Sequence, residues 1–198
     1  MPTENKTDRV RRNIGHRCLV LVGMMGAGKT TIGRRLATRL NLPFVDVDQE
    51  IENAAGQSIV DIFAQHGEDY FRAGEQRVFL RLLGEGPSIL ATGGGTFMND
   101  ETRKQVSKLG ISIWLKADFD ILYKRVSRRN HRPLLQTDDP KQALLDLITA
   151  RDPIYAEADI IVKSRDVPHE KVVSEIVELV DDHLDTEIGA STRREQKP

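Results

Sequence analysis

The stretch that most constrains the fold of this chain is GMMGAGKTT, at residues 23–31. It follows an apolar run at residues 18–22 and precedes a helical pattern, so we predict a strand, a loop and a helix in that order. The stretch matches G-x-x-x-x-G-K-[ST], in which glycines let backbone N–H groups surround a phosphate at the start of a helix. In this pattern Lys29 reaches the β- and γ-phosphates and the Thr30 hydroxyl binds Mg²⁺. Residues 23–31, called the P-loop below, therefore predict a binding site for a nucleoside triphosphate.

Length and charge limit the classes of protein that fit. The 198 residues suit a single domain with small insertions, and the formal net charge of −1 indicates neither a nucleic-acid nor a membrane partner. No apolar run approaches the roughly 18 residues that a membrane-spanning helix needs. Cys18 lies in an apolar run and is expected to be a core residue in a reducing compartment. We expect a monomer in the cytoplasm.

The two ends of the chain are more polar than the middle. Residues 1–16 carry charges of both signs and lack the apolar region of a signal peptide, and residues 188–198 are also polar. We predict a flexible N-terminal extension over residues 1–16, one domain over 17–187 and a disordered tail over 188–198.

Short β-like apolar runs alternate with helical patterns along the domain. This alternation predicts an α/β fold with about five parallel strands and helices on both faces of the sheet. Residues 49–86 have a helical pattern without a strand and are expected to form a substrate-binding insertion. Residues 124–140 begin with the basic stretch KRVSRRNHR and are expected to form a lid between two helices. The predicted strands lie at residues 18–22, 44–47, 88–91, 111–115 and 159–162.

Unusual residues follow the first three predicted strands, where ligands of such sheets bind. The P-loop follows the first strand, Asp46 and Asp48 end the second, and three glycines at residues 93–95 follow the third. We expect Asp46 to help hold Mg²⁺ and Asp48 to contact an acceptor hydroxyl, although Asp48 alternatively caps the next helix. The glycines, called the glycine loop below, favour close contact with a ligand over a flexible hinge.

Several arginines are candidates for binding anionic groups. Arg72 lies three residues before Glu75, so a helix would place both on one face. The pair is either an exposed ion pair or an arginine that Glu75 orients toward a carboxylate. Arg151 either binds a carboxylate or complements a helix dipole. In the lid, Arg132 is our candidate for stabilising a transferred phosphoryl group, and the absence of interleaved aromatic residues disfavours a nucleic-acid patch.

Taken together, these motifs resemble the shikimate kinase family over about residues 17–184. The matching segments, in chain order, are GMMGAGKTTIGRRLA, DVDQEIE, DIF with GEDYFRAGE, LATGGG, RPLL and RDPIY. The resemblance implies a three-layer P-loop kinase fold of the nucleoside-monophosphate-kinase type, with core, substrate-binding and lid portions. It also implies ATP-dependent phosphorylation of the 3-hydroxyl of shikimate, on the route to chorismate and the aromatic amino acids.

The resemblance further implies roles for individual residues. Lys29, Asp48 and Arg132 would be catalytic, and Arg125 would flank the adenine together with the loop at residues 164–168. Thr30 and Asp46 would hold Mg²⁺. The implied shikimate-binding residues are Asp48, Arg72, Gly94, Gly95 and Arg151. The implied ATP-binding residues are Gly26, Ala27, Gly28, Lys29, Thr30, Thr31, Arg125 and Arg132.

Two other kinds of protein fit parts of the sequence. One is another small-molecule P-loop kinase, such as a gluconate or nucleotide kinase, which the glycine loop and the two placed arginines disfavour. The other is a regulatory module that binds ATP without transferring phosphate, which the acidic pair and Arg132 disfavour.

Overall fold

The computed structural model describes residues 5–127, 137–165 and 167–195. Within these residues the chain forms five strands, eight α-helices and one 3₁₀ turn at Thr96–Met98. The strands are β1 (Cys18–Val22), β2 (Phe44–Asp46), β3 (Ile89–Ala91), β4 (Gly110–Ala117) and β5 (Ile160–Ser164). The helices are α1 (Lys6–Asn13), α2 (Lys29–Leu40), α3 (Val47–Ala55), α4 (Ile59–Gly84), α5 (Asp100–Leu109), α6 (Phe119–Val126), α7 (Pro140–Tyr155) and α8 (His169–Glu195).

The described strands form one parallel sheet in the order β2-β3-β1-β4-β5. All five residues of the central strand β1 are buried, as expected for a strand covered on both faces. The predicted parallel α/β sheet is thus confirmed, and each predicted strand overlaps an observed one. The order places the loop after β1, which is the P-loop, in the middle of the carboxyl edge of the sheet.

The predicted helical insertion at residues 49–86 consists of α3 and α4, and its described residues contain no strand. The two helices pack against each other. The path of α4 is broken at Gly67, whose φ of 81° and ψ of 177° are not helical. A glycine permits this conformation because it lacks a Cβ atom. The part of α4 after this break carries Arg72 and Glu75.

The ends of the chain differ from the prediction. Within the predicted flexible extension at residues 1–16, helix α1 buries Val10, and Ile14, the residue that caps its C-terminal end, is buried four residues further along. Helix α1 contacts α8, which spans His169–Glu195 and so extends into residues 188–198, the segment predicted as a tail. The polarity of both segments concealed this pairing, because an apolar stripe of two residues is too narrow to stand out in the sequence.

The contact between α1 and α8 includes an ion pair between the partly exposed Arg9 and the buried Asp181. Arg9 donates hydrogen bonds to both carboxylate oxygens of Asp181, with 2.9 Å between Arg9 Nε and Asp181 Oδ1. Arg9 also lies 2.9 Å from Asp185. Asp181 is only 1% exposed, so its charge is largely removed from water.

In the described part of the chain, none of the helices is both long and apolar enough to cross a membrane.

Candidate active site

The P-loop connects β1 to α2 and has the backbone that its glycines allow. Gly23, Gly26 and Gly28 have φ values of 132°, 81° and 99°, a region that L side chains rarely adopt. The Lys29 ammonium group donates to the carbonyl oxygens of Gly23, at 2.7 Å, and Met24, at 3.0 Å. The lysine therefore turns back over the loop, with its ammonium group against two carbonyl oxygens of the P-loop.

The two residues predicted to hold Mg²⁺ are in direct contact. The Thr30 hydroxyl donates a hydrogen bond of 2.8 Å to Asp46 Oδ2, across the space between the start of α2 and the end of β2. Hydroxyl and carboxylate oxygens are suitable partners for Mg²⁺, which keeps several waters and uses few carboxylates. Among the described residues there is no group of three or more His, Cys, Asp or Glu side chains that could hold a metal without further ligands.

Asp48, which was predicted to stand at the end of the second strand, lies instead in the first turn of α3. Strand β2 ends at Asp46, which is also the residue at the N-cap position of α3, so Asp48 is not the helix cap either. Val47 continues the apolar pattern of β2 in the sequence, but its buried side chain belongs to the helix. The early helix start leaves the Asp48 side chain beside the glycine loop.

Each glycine of the glycine loop is crowded by a charged side chain. A Cβ atom at Gly93 would lie 2.8 Å from Asp48 Oδ1 and 2.9 Å from Glu75 Oε1. At Gly95 it would lie 2.7 Å from the Cζ atom of Arg72. None of the three glycines has a positive φ, so the reason for glycine here is space and not backbone conformation. The glycines therefore leave room for charged side chains of the protein that lie close to the backbone of the glycine loop.

Arg72 and Glu75 share a face of α4, as predicted. Arg72 Nη1 donates to Glu75 Oε2 at 2.7 Å, and Arg72 Nη2 donates to Glu68 Oε1 at 3.0 Å. Glu75 is 3% exposed, and its other oxygen accepts a hydrogen bond of 2.8 Å from Thr96 Oγ1. Burial by itself would lower the pKa of Arg72, but the carboxylates of Glu75 and Glu68 outweigh it and raise this pKa above its usual value. Arg72 is therefore held in place by a buried carboxylate, and its pair with Glu75 is not a solvated surface ion pair.

Arg151 contacts the glycine loop from the other side. Its Nη1 atom donates to the Gly94 carbonyl oxygen at 3.1 Å, and the Tyr155 hydroxyl donates to the same oxygen. Arg72 and Arg151 both line a pocket of about 310 Å³ that also includes Gly95. Two guanidinium groups on one pocket are suited to an anionic ligand such as a carboxylate.

The P-loop and this pocket are neighbours. A Cβ atom at Gly94 would lie 3.2 Å from Arg151 Nη1 and 3.7 Å from the backbone nitrogen of Met25, which belongs to the P-loop. Gly94 is thus adjacent both to Arg151, a candidate ligand for a carboxylate, and to the P-loop.

Arg125 lies against the opposite side of the P-loop. Its Nη1 atom donates to the Gly26 carbonyl oxygen at 3.1 Å and to Ser164 Oγ at 3.4 Å. Ser164 Oγ in turn donates to the Ala27 carbonyl oxygen at 3.2 Å. These contacts bring Arg125 to the start of the 164–168 loop, whereas Arg132 lies outside the described residues.

Three residues of the site were not identified from the sequence. Glu68 precedes Arg72 by one helical turn, and Tyr155 follows Arg151 by one turn, so helical spacing alone could have indicated both. Thr96 could not have been found in this way because its contact with Glu75 joins two distant elements.

Comparison with known proteins agrees with the resemblance seen in the sequence. The family model for shikimate kinase matches residues 25–181. The shikimate kinase of Bradyrhizobium diazoefficiens is 57% identical over 171 residues, which cover 86% of this chain and 83% of the relative. The shikimate kinase of Rhodopseudomonas palustris is 56% identical over 171 residues, covering 86% and 84%.

A solved structure supports the same assignment at the level of the fold. The shikimate kinase from Acinetobacter baumannii in complex with shikimate superimposes with a TM-score of 0.82 at 36% identity, covering 86% of this chain and 96% of that one. The predicted P-loop kinase fold is therefore confirmed. Family model, sequence relatives and fold agree with the site geometry: the chain belongs to the shikimate kinase family.

Proposed function

We propose that this protein transfers the γ-phosphoryl group of ATP to the 3-hydroxyl of shikimate, which gives shikimate 3-phosphate and ADP. The observation that carries this proposal is the position of Gly94, which adjoins both Arg151 and Met25 of the P-loop. A small acid bound to the arginines would therefore lie beside the phosphates of a nucleotide. The family membership of the chain and the relative solved with shikimate support the same substrate.

Arg72 and Arg151 bind the shikimate carboxylate in this proposal, and Gly94 and Gly95 leave room for it. Arg72 donates to Glu68 and Glu75 through three of its five N–H groups among the described contacts, and its side chain lines the pocket. Fixing the guanidinium in advance lowers the entropy lost when the ligand binds. Guanidinium groups bind a carboxylate through paired hydrogen bonds that a neutral sugar cannot form, so Arg72 and Arg151 favour an acid even though Glu68 and Glu75 also line the pocket.

Lys29 and the backbone N–H groups of residues 26–31 bind the ATP phosphates, and Arg125 flanks the adenine. Thr30 and Asp46 would hold Mg²⁺, since their oxygens already lie 2.8 Å apart at the mouth of the loop. Held by these two residues, Mg²⁺ would supply positive charge that stabilises the nucleotide phosphates. Lys29 adds to this charge on the transferred group, and we assign the same role to Arg132 of the lid.

Asp48 orients the acceptor hydroxyl and is our candidate to accept its proton. The new bond forms between the substrate oxygen and the γ-phosphorus, while the bond between the γ-phosphorus and its bridging oxygen breaks and ADP leaves. Because the transition state of such transfers is loose, positioning by Asp48 matters more than full proton removal. A monomeric state and a cytoplasmic location remain predictions.

A coupled assay of ADP release tests the proposal. We expect ADP to form only when ATP, Mg²⁺ and shikimate are all present, and Lys29→Ala to abolish most of the turnover. Gluconate and nucleoside monophosphates should not replace shikimate. Turnover with one of these instead would identify another small-molecule kinase, and ATP binding without shikimate-dependent ADP in a single turnover would indicate a regulatory module.

A further inference from the structure

Tyr155, the last residue of α7, is fully buried beside the site, and its hydroxyl contacts the glycine loop. Its ring stacks with those of Phe97, with ring centres 6.5 Å apart, and Trp114, with ring centres 5.8 Å apart. The side chain is 0% exposed, and its hydroxyl donates to the carbonyl oxygen of Gly94. The aromatic packing therefore fixes where the hydroxyl group lies, and the hydroxyl group contacts the glycine loop.

The same carbonyl oxygen also accepts the hydrogen bond from Arg151. Arg151 and Tyr155 lie one turn apart on α7 and so project from the same face. A carbonyl oxygen has two lone pairs and can accept from both donors at once. The Gly94 carbonyl is thus a shared anchor, and the placement of Arg151 depends on where this carbonyl points.

The Tyr155 hydroxyl keeps its proton over the pH range in which most enzymes work. Burial raises the pKa of Tyr155 to about 12, and the nearby charge of Arg151 only partly opposes this effect. The phenol therefore remains a neutral hydrogen-bond donor at neutral pH. A donor that does not titrate holds Gly94 in the same way throughout that range.

We propose that Tyr155 is a positioning residue for substrate binding: its hydroxyl fixes the Gly94 carbonyl, and this carbonyl holds the Arg151 guanidinium toward the substrate carboxylate. The inference rests on the proposed function, since it takes shikimate as the ligand of Arg151. Tyr155 itself need not touch the substrate, and the alternative is that it only fills the core beneath α7.

Tyr155→Phe separates the two possibilities because it removes the hydroxyl and keeps the ring. We expect the KM for shikimate to rise roughly 5- to 20-fold, which corresponds to the loss of one buried hydrogen bond. The kcat and the KM for ATP should stay within about twofold of the wild type, because the P-loop is not changed. The increase should be the same at about pH 6 and pH 9, since the phenol does not titrate there.

Tyr70→Phe is the matched control, since Tyr70 is 55% exposed on α4. Its shikimate KM should equal that of the wild type. A Tyr155→Phe enzyme with a lower Tm but an unchanged shikimate KM would overturn the inference and leave Tyr155 with a packing role.

A double-mutant comparison tests whether Tyr155 acts through Arg151. In an Arg151→Ala background, adding Tyr155→Phe should change the shikimate KM by less than about twofold, because the guanidinium that it positions is gone. Two full and additive effects would overturn the inference. A wild-type enzyme without shikimate-dependent ADP release would instead reject the proposed function, so the two failures are distinguishable.

Discussion

The Thr30 hydroxyl and the Asp46 carboxylate lie 2.8 Å apart, although they come from different elements of the sheet's carboxyl edge. Thr30 is in the first turn of α2, and Asp46 is the last residue of β2. The contact orients the hydroxyl next to a negative charge. A divalent cation near Thr30 would therefore be stabilised by Asp46, either directly or through a bound water.

Asp46→Asn should raise the Mg²⁺ concentration needed for half-maximal activity by about tenfold or more, because it removes a charge and keeps the size of the side chain. The measurement is ADP release as a function of Mg²⁺ at saturating ATP and shikimate. Asp182→Asn, on the exposed side of α8, is the control and should not alter the Mg²⁺ requirement. An unchanged requirement in Asp46→Asn would remove this residue from the metal site.

Arg72→Lys should raise the KM for shikimate at least about tenfold, because lysine keeps the charge but cannot form the bidentate contact of a guanidinium. The KM for ATP should change by less than about twofold. The control is Arg77→Lys, an exposed arginine of the same helix whose Nε atom contacts the Ala73 carbonyl. If both variants kept wild-type shikimate kinetics, Arg72 would not be a carboxylate ligand.

Gly93→Ala should lower kcat by roughly 10- to 100-fold, because the new methyl group would displace the carboxylate of Asp48 or Glu75. The control is Gly74→Ala in α4, where a Cβ atom would meet nothing within 4 Å. That variant should keep full activity and gain about 0.5 to 1 kcal/mol of stability, since alanine is the better helix former. Steady-state kinetics and thermal unfolding give both readouts, and a Gly93→Ala enzyme of normal kcat would contradict the assigned role of Asp48.

Arg9→Ala should lower the free energy of unfolding by about 2 kcal/mol, because it takes from the buried Asp181 the cation that its carboxylate contacts. Urea denaturation measures this change. Arg11→Ala is the matched control, since Arg11 is exposed and lies 3.8 Å from Asp8; it should cost less than about 0.5 kcal/mol. Equal losses in the two variants would show that the pair with Asp181 contributes nothing specific.

The parts of the fold that follow from local patterns were predictable. Apolar runs such as residues 18–22 indicated the strands because both faces of a central parallel strand are buried. The P-loop was identifiable because its chemistry requires fixed residue types at fixed spacing. The shared face of Arg72 and Glu75 followed from helical geometry.

The features that depend on tertiary packing were not predictable. The sequence predicts a strand through Val47 with Asp48 at its end because Val47 fits both periodicities, and only the packed structure shows that the helix starts first. The sequence likewise gave no indication that Glu75 is buried against Thr96, since the two residues meet only after α4 packs beside the glycine loop. Helix α1 is not evident from the sequence because its short apolar face is buried by elements that follow it in the chain, α2 and, at the far end of the described residues, α8.

The pairing of α1 with α8 also determines when this enzyme can finish folding. Helix α1 leaves the ribosome before every other described element, while α8 leaves it last. The contacts that α1 makes with α8 therefore form only after the residues between the two helices have been synthesised. Among the contacts between described elements, the one between α1 and α8 joins the most distant parts of the sequence and so forms late.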